Sequence, residues 1–244
     1  MASPPPPRIY YSILFSLSEP KQNAYIYCLM LQIRALRALG ITDPYYLLTE
    51  DKTVPVLRQI PLIMGQCKII SMRTSPATCK EGMALKYTFP FIVAPHRETQ
   101  ITYLDLDMLP IAPLEIHVPQ DTFVAYPEGS PTDANYCGDQ PLALHAGVSG
   151  GFFAYTWGPR VKALFEGVLR TLKEGGTEFY TLDQPLLNHA LVAHREAADF
   201  MPSEIVSFNG HGRHELTCFI NCCGDPGDSG FHFRKMLEFF LSRP

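Results

Sequence analysis

The sequence predicts an α/β protein with a mixed, mostly parallel central sheet flanked by helices. Three observations carry this expectation. Short apolar runs rich in β-branched and aromatic residues recur along the 244-residue chain. Segments with helical spacing stand between them, the clearest at Pro159–Lys173. One strand-like run, Gln100–Leu104, ends on two aspartates, where sheets of this class place ligands beyond the carboxyl ends of their strands.

In chain order, Ile9–Leu17 (IYYSILFSL) reads as a first, buried strand. Asn23 can cap a helix over Ala24–Leu39, which Gly40 stops. That helix is apolar almost all round, so it is expected deep in the protein. Asp43-Pro44 is a turn before a strand at Tyr45–Leu48, and Lys68–Ser71 is the next strand. Ala84–Phe91 reads as helical until Pro90 disturbs it. Strands follow at Gln100–Leu104 and Thr122–Ala125. Pro127–Pro141, poor in apolar residues, reads as a long surface loop of the sort that binds or covers a ligand. Gly151–Tyr155 is strand-like. In Pro159–Lys173, Val161, Leu164, Phe165, Val168, Leu169 and Leu172 keep the 3.6-residue period, with Pro159 in the first turn. A helix at Thr181–His194, a strand at Thr217–Ile220 and a terminal helix at Phe231–Leu241 complete the reading. No repeat or linker divides the chain, so one domain over residues 8–244 is expected after a Pro-rich, disordered leader of residues 1–7.

Composition narrows the function classes. Twenty basic against 24 acidic residues give a net charge of −4, which makes no electrostatic case for nucleic acid or anionic membrane as partner. No apolar run approaches the roughly 20 residues of a membrane span. The first residues lack the basic and apolar regions of a secretory signal. Seven cysteines, odd in number and irregular in spacing, point to a reduced, cytoplasmic compartment.

Four short motifs have chemical meaning. Asp105 and Asp107, one residue apart at a strand end, can turn toward one hard cation such as Mn²⁺ or Mg²⁺, with substrate phosphates completing its shell. The plain alternative is a strand-ending turn, where Asp is common. Ser149-Gly150-Gly151, before the run Phe152-Phe153-Ala154-Tyr155, lets a ligand or a backbone approach closely; the alternative is a Gly-rich turn. Thr181-Leu182-Asp183-Gln184 has the spacing of a capping box, or it presents Asp183 and Gln184 to a ligand at a helix start. Asn221, in Phe219–Gly224, can add a side-chain oxygen to a metal site, or it ends a strand before a turn. His211, His214, Cys218 and Cys222 or Cys223 match no common zinc frame.

The succession YLDLD, SGGFFAY, LDQPLLN, INCCG resembles the GT-A glycosyltransferases, above all glycosyltransferase family 8, the glycogenin and bacterial galactosyltransferase group. It is also similar to small GT-A enzymes of large algal viruses. The resemblance runs from about Ile9 to Lys235. It implies a GT-A fold and a retaining transfer of a hexose or similar sugar from a nucleotide-diphosphate sugar, UDP favoured, to a hydroxyl of a glycan or glycoprotein. It implies Mn²⁺ or Mg²⁺ at Asp105 and Asp107, with Asp105 also near the donor ribose. Ser16, Lys86, Ser149, Gly150 and Gly151 fall at donor-binding positions, and Asp183 and Gln184 lie against the transferred sugar. The chain departs from the family at three places. Pro185 replaces a second Asp, Asn221 stands where the third metal ligand is usually His, and the Lys-Pro-Trp phosphate clamp is absent, the single tryptophan being Trp157.

Two other readings differ in chemistry. An inverting transferase would use Asp183 as the base on the acceptor hydroxyl. A sugar nucleotidyltransferase also uses carboxylates and Mg²⁺, but it needs a Gly-rich loop after the first strand, and Leu17–Asn23 has no glycine.

Overall fold

The computed structural model describes residues 6–15, 19–73, 76, 78–138, 140–174, 183–223 and 230–242, with residues 19–23 as backbone only. Its elements run β1 (Arg8–Leu14), α1 (Glu19–Ala38), β2 (Tyr45–Glu50), α2 (Val54–Leu57), α3 (Pro61–Gln66), β3 (Lys68–Met72) and α4 (Cys79–Ala84). A 3₁₀ turn (Leu85–Thr88) leads to α5 (Phe89–Val93), β4 (Gln100–Leu104), β5 (Met108–Pro110), β6 (Phe123–Gly129), α6 (Ala134–Cys137) and β7 (Gly147–Thr156). Then come α7 (Pro159–Lys173), α8 (Gln184–Ala193), β8 (Ala198–Phe200), β9 (Val206–Phe208), β10 (Phe219–Asn221) and α9 (Phe231–Leu241).

Seven strands form one mixed, mostly parallel sheet in the order β3-β2-β1-β4-β7-β6-β8, as the α/β reading requires. β2 runs parallel to β3 and β6 parallel to β8, while β6 and β7 are antiparallel. The register of β6 shifts on both sides of Pro127, because a proline has no N–H to give the ladder. A second, three-stranded sheet has the order β5-β10-β9.

Several boundaries differ from the sequence reading. β1 ends at Leu14 rather than Leu17, and residues 16 and 17 lie outside the described part. α1 begins at Glu19, so Asn23 is inside the helix rather than its cap; Pro20 suits the first turn, where a missing N–H costs nothing. Gly40 does end the helix: its φ is +75°, and Ile41 N–H reaches back to Leu36 O at 3.0 Å. The helix expected over Ala84–Phe91 resolves into the 3₁₀ turn and α5, with Pro90 in the first turn of α5. The loop expected over Pro127–Pro141 starts as the end of β6 and contains α6. The last strand starts at Phe219, because Thr217 N–H closes a turn on His214 O at 3.0 Å instead of joining the ladder.

The chain folds as two compact units. The first joins Met1–Tyr10, Pro76–Tyr103 and Ile116–Pro202. Its core is aromatic: Phe153 stacks on Tyr87 and Tyr103 at centroid distances of 5.9 and 5.0 Å, and Phe165 meets Tyr87 edge-on. α7 supplies Phe165, and Asp121 holds its start by accepting from the N–H groups of Arg160 and Val161 at 3.0 and 3.1 Å. A side chain at Gly158 would collide with that carboxylate, its Cβ falling 2.4 Å from Asp121 Oδ1. The second unit joins Tyr11–Ser75, Leu104–Glu115 and Ser203–Pro244. It packs α1 against α9 and contains the whole small sheet.

Candidate functional site

The sequence candidates fall into two clusters, one in each unit. In the first unit, the SGG and DQPLLN segments form a single structure. Gln184 Oε1 accepts from Gly150 N–H at 3.1 Å. One turn on, the Asn188 side chain behaves like a neighbouring strand. It accepts from Val148 N–H at 2.8 Å and donates to Val148 O at 2.9 Å. The start of α8 is thereby stapled to the start of β7. Ser149 Oγ accepts from Gly151 N–H at 3.1 Å, so this hydroxyl also serves the backbone.

Asp183 occupies the cap position of α8 but makes no side-chain cap hydrogen bond. Its carboxylate is used elsewhere. Oδ2 accepts from Tyr87 Oη–H at 2.6 Å and lies 3.2 Å from Lys86 Nζ. Lys86 also donates to Gly150 O at 2.6 Å, and its ammonium sits 4.7 Å from the Tyr103 ring centroid. The side chains of Lys86 and Asp183 are 0% and 1% exposed. An ion pair this deep persists only when its charges and donors are matched, as they are here by Tyr87 and Gly150. The same packing explains Gly150: a Cβ there would lie 3.1 Å from Asp183 Oδ2 and 3.0 Å from Gln184 Cγ. The space a side chain would fill is occupied by these two residues. The capping-box reading is only half within the described residues, since Thr181 and Leu182 lie outside them. Ser16 does too.

In the second unit, Asp105 and Asp107 follow β4 directly and are half-buried. The small sheet brings the INCC segment alongside them. β10 runs antiparallel to β5 with Asn221 opposite Met108, and Cys222 N–H donates to Asp107 O at 2.9 Å. Asn221 Oδ1 is buried, with no hydrogen-bond partner among the described residues. Such an oxygen costs free energy unless something electropositive meets it. Gly224, which follows in the Asn-x-x-Gly spacing, lies outside the described residues.

A fourth residue joins this cluster that sequence reasoning missed. His232, one residue into α9, places Nδ1 3.5 Å from Asp107 Oδ2 and 2.7 Å from Cys222 O. Tyr25 stacks on its ring at 5.7 Å. Its position in a terminal amphipathic helix carries no spacing signal toward Asp107. Two thiols border the carboxylate. Burial first, and then the charge of Asp107, raise both the Cys28 and Cys222 thiols, the latter to about 12, so both stay neutral near pH 7.

Oxygen ligands of this kind suit a hard divalent cation rather than zinc. Among the described residues, no three of His, Cys, Asp and Glu converge as a metal set. The side-chain oxygens that could hold a cation here are those of Asp105, Asp107 and Asn221, whose neighbouring residues the β5–β10 pairing sets side by side. A separate groove lined by Phe91, Glu166, Leu169, Arg170 and Lys173 contains none of the candidate residues. No described helix is long and apolar enough to cross a membrane.

No protein-family model and no curated protein matches this sequence. In structure the chain is similar to a WbbM bifunctional glycosyltransferase, solved in its apo form, with a TM-score of 0.63 and 12% sequence identity. The match covers 100% of this chain and 50% of that one, so the chain spans half the length of its structural neighbour. At that identity the likeness speaks for architecture alone: the chain shares the mixed α/β fold of that structure.

Proposed function

We propose that this chain transfers a hexose or similar sugar from a nucleotide-diphosphate sugar, UDP favoured, to a hydroxyl of a glycan or glycoprotein. Asp105, Asp107 and Asn221 hold Mn²⁺ or Mg²⁺, and His232 lies beside Asp107 as a further candidate contact. The single observation that carries this reading is the oxygen cluster at the end of β4, with the buried Asn221 Oδ1, unpartnered among the described residues, at its edge. The glycosyltransferase fold supports it. When bound, the cation neutralises charge on the diphosphate as it leaves.

Gln184, half-buried at the first position of α8, lies against the donor sugar and, as an amide already bonded to Gly150 N–H and Asn135 O, is no base. Asp183 orients the sugar rather than acting as a base. Its carboxylate already accepts from Tyr87 and pairs with Lys86, which disfavours it as the base of an inverting reaction and favours retention. Lys86, Ser149, Gly150 and Gly151 are assigned to donor binding.

The test is a panel of nucleotide sugars with and without Mn²⁺, read by thermal shift and by NMR of the product's anomeric proton. A donor that binds only the folded protein adds about 2.7 kcal/mol of stability at a hundred times its Kd. The expected result is a Mn²⁺-dependent shift with UDP-sugars and a retained anomer. An inverted product would overturn the role given to Asp183, and metal-independent shifts would overturn the cation.

A further inference from the structure

Behind the Asp105–Asp107 turn lies a buried polar chain that no sequence motif announces. Gln32 sits in the middle of α1 and is 0% exposed, as is Ser12 of β1, while Tyr45 of β2 is 1% exposed. The Gln32 amide nitrogen donates to two backbone carbonyls, Asp105 O at 2.8 Å and Met108 O at 2.7 Å. Those carbonyls bracket the Asp-Leu-Asp turn. The turn is itself closed by Met108 N–H donating to Asp105 O at 3.1 Å. On its other side, Gln32 Oε1 accepts from the Tyr45 hydroxyl. Ser12 Oγ–H donates to Leu104 O at 2.5 Å, and its oxygen lies 2.5 Å from Tyr45 Oη.

The donor count explains why the side chain carries a primary amide. A carbonyl oxygen accepts and cannot donate, so two carbonyls facing one side chain require two N–H groups. The Tyr45 hydroxyl requires an acceptor on the same side chain. A primary amide supplies two donors and an acceptor at once, and these partners fix which end is nitrogen. Burial raises the Tyr45 hydroxyl far above its ordinary range, so it remains a proton donor at every working pH. Gln32 is an otherwise expensive residue in a buried helix face beside Leu29, Ile33 and Leu36. Both of its amide protons are spent on the backbone between Leu104 and Met108, the stretch that carries both aspartates.

We infer that Gln32, oriented by Tyr45 and backed by Ser12, is a positioning residue that holds the Asp105–Asp107 turn in the shape that binds a divalent cation, which rests on reading these aspartates as cation ligands. It touches no ligand. It fixes the carbonyls on either side of the turn, so the two carboxylates leave the backbone in one preset geometry. Outer partners of this kind tune metal affinity by about 10- to 100-fold.

The test measures binding of Mn²⁺ alone to the full chain by electron paramagnetic resonance of the free ion. The proteins are wild type, Gln32→Met, Tyr45→Phe, Asp107→Ala and Leu57→Ala. Leu57→Ala is a core truncation in α2 of the same unit, and its apolar side chain makes no hydrogen bond to the turn. Amide hydrogen exchange of the peptide spanning residues 104–110 is read alongside. Gln32→Met keeps the volume and removes all three hydrogen-bonding functions. It is expected to weaken Mn²⁺ at least about tenfold and to speed exchange at the turn. Tyr45→Phe, which removes the hydroxyl shared by Gln32 Oε1 and Ser12 but leaves both amide donors, is expected to weaken Mn²⁺ less. Leu57→Ala, though destabilised, is expected to bind Mn²⁺ as wild type does. Wild-type affinity in Gln32→Met together with lost binding in Asp107→Ala overturns this inference alone. An equal loss in Leu57→Ala also overturns it, since any destabilisation would then have the same effect. No binding by wild type, or undiminished binding by Asp107→Ala, overturns the cation reading and this inference together. Should Gln32→Met fail to fold, Tyr45→Phe decides by the same two readouts.

Discussion

Around Asp183, in the first unit, the charges are matched within the protein. The Lys86 ammonium pairs with the carboxylate, Tyr87 donates to it, and Gly150 O takes another ammonium proton, all at 0–1% side-chain exposure for the charged pair. Around Asp107, in the second unit, the carboxylate is partly open to solvent. Asp107 is 18% exposed beside a histidine at 15%, and the Asn221 amide oxygen is buried with no donor among the described residues. The contrast separates two uses of acidic residues. A carboxylate closed in with its own lysine holds structure, and its geometry is ready before any ligand arrives. A carboxylate left among other oxygens gains most from a cation brought from outside.

The contrast breaks most visibly at Lys86. Lys86→Met leaves a buried carboxylate without its counter-charge, and the expected cost is about 3–5 kcal/mol by urea denaturation. The double change Lys86→Met/Asp183→Leu should cost less than either single change, because it removes both charges together. A single-variant cost below about 1 kcal/mol, the range of exposed pairs, would mean that the two charges are not coupled as the structure has them.

Gly150→Ala is expected to cost about 1–3 kcal/mol as an overpacked site, the new Cβ meeting Gln184 Cγ and Asp183 Oδ2. Circular dichroism melts and the crystal position of Asp183 check it. Unchanged stability would show that the α8 start gives way easily and that the cluster is not preset.

The smallest stability effect belongs to Asn221, and its sign is informative. Asn221→Ala removes a buried oxygen that has no described donor, so stability should change by less than about 1 kcal/mol or rise slightly. Mn²⁺ affinity should fall roughly tenfold, the scale on which single contacts tune a metal. A large loss of stability without Mn²⁺ would show that the amide serves the fold and not a cation.

The fold was largely readable from the sequence where its signals are local. β4 has the expected bounds, Gln100–Leu104, and α7 runs over the expected Pro159–Lys173 with Val161, Leu164, Phe165 and Val168 buried. β5, β8 and β9 were not read from the sequence: each is three residues long, and none was singled out as an apolar run. At the candidate site, the acidic pair at a strand end was visible, as was the pairing of small residues with a polar helix start. What Asp183 does was not. Its cap-like spacing suggests local bonding, whereas the tertiary contacts direct it to Lys86 and Tyr87. His232 and Gln32 were hidden for the same reason: each matters through a partner distant in sequence, and neither interrupts the helix that carries it.

The claim that matters most is that the Asp107 cluster is completed by a divalent cation. It is tested most directly by titrating Mn²⁺ into wild type and Asp107→Ala and following both bound metal and unfolding free energy. The account predicts saturable binding to wild type that raises its stability with Mn²⁺ concentration, as linkage requires. It predicts loss of both effects in Asp107→Ala, with metal-free stability within about 1 kcal/mol of wild type for a change at a partly exposed position. Equal Mn²⁺ binding by the two proteins, or none by either, would contradict it.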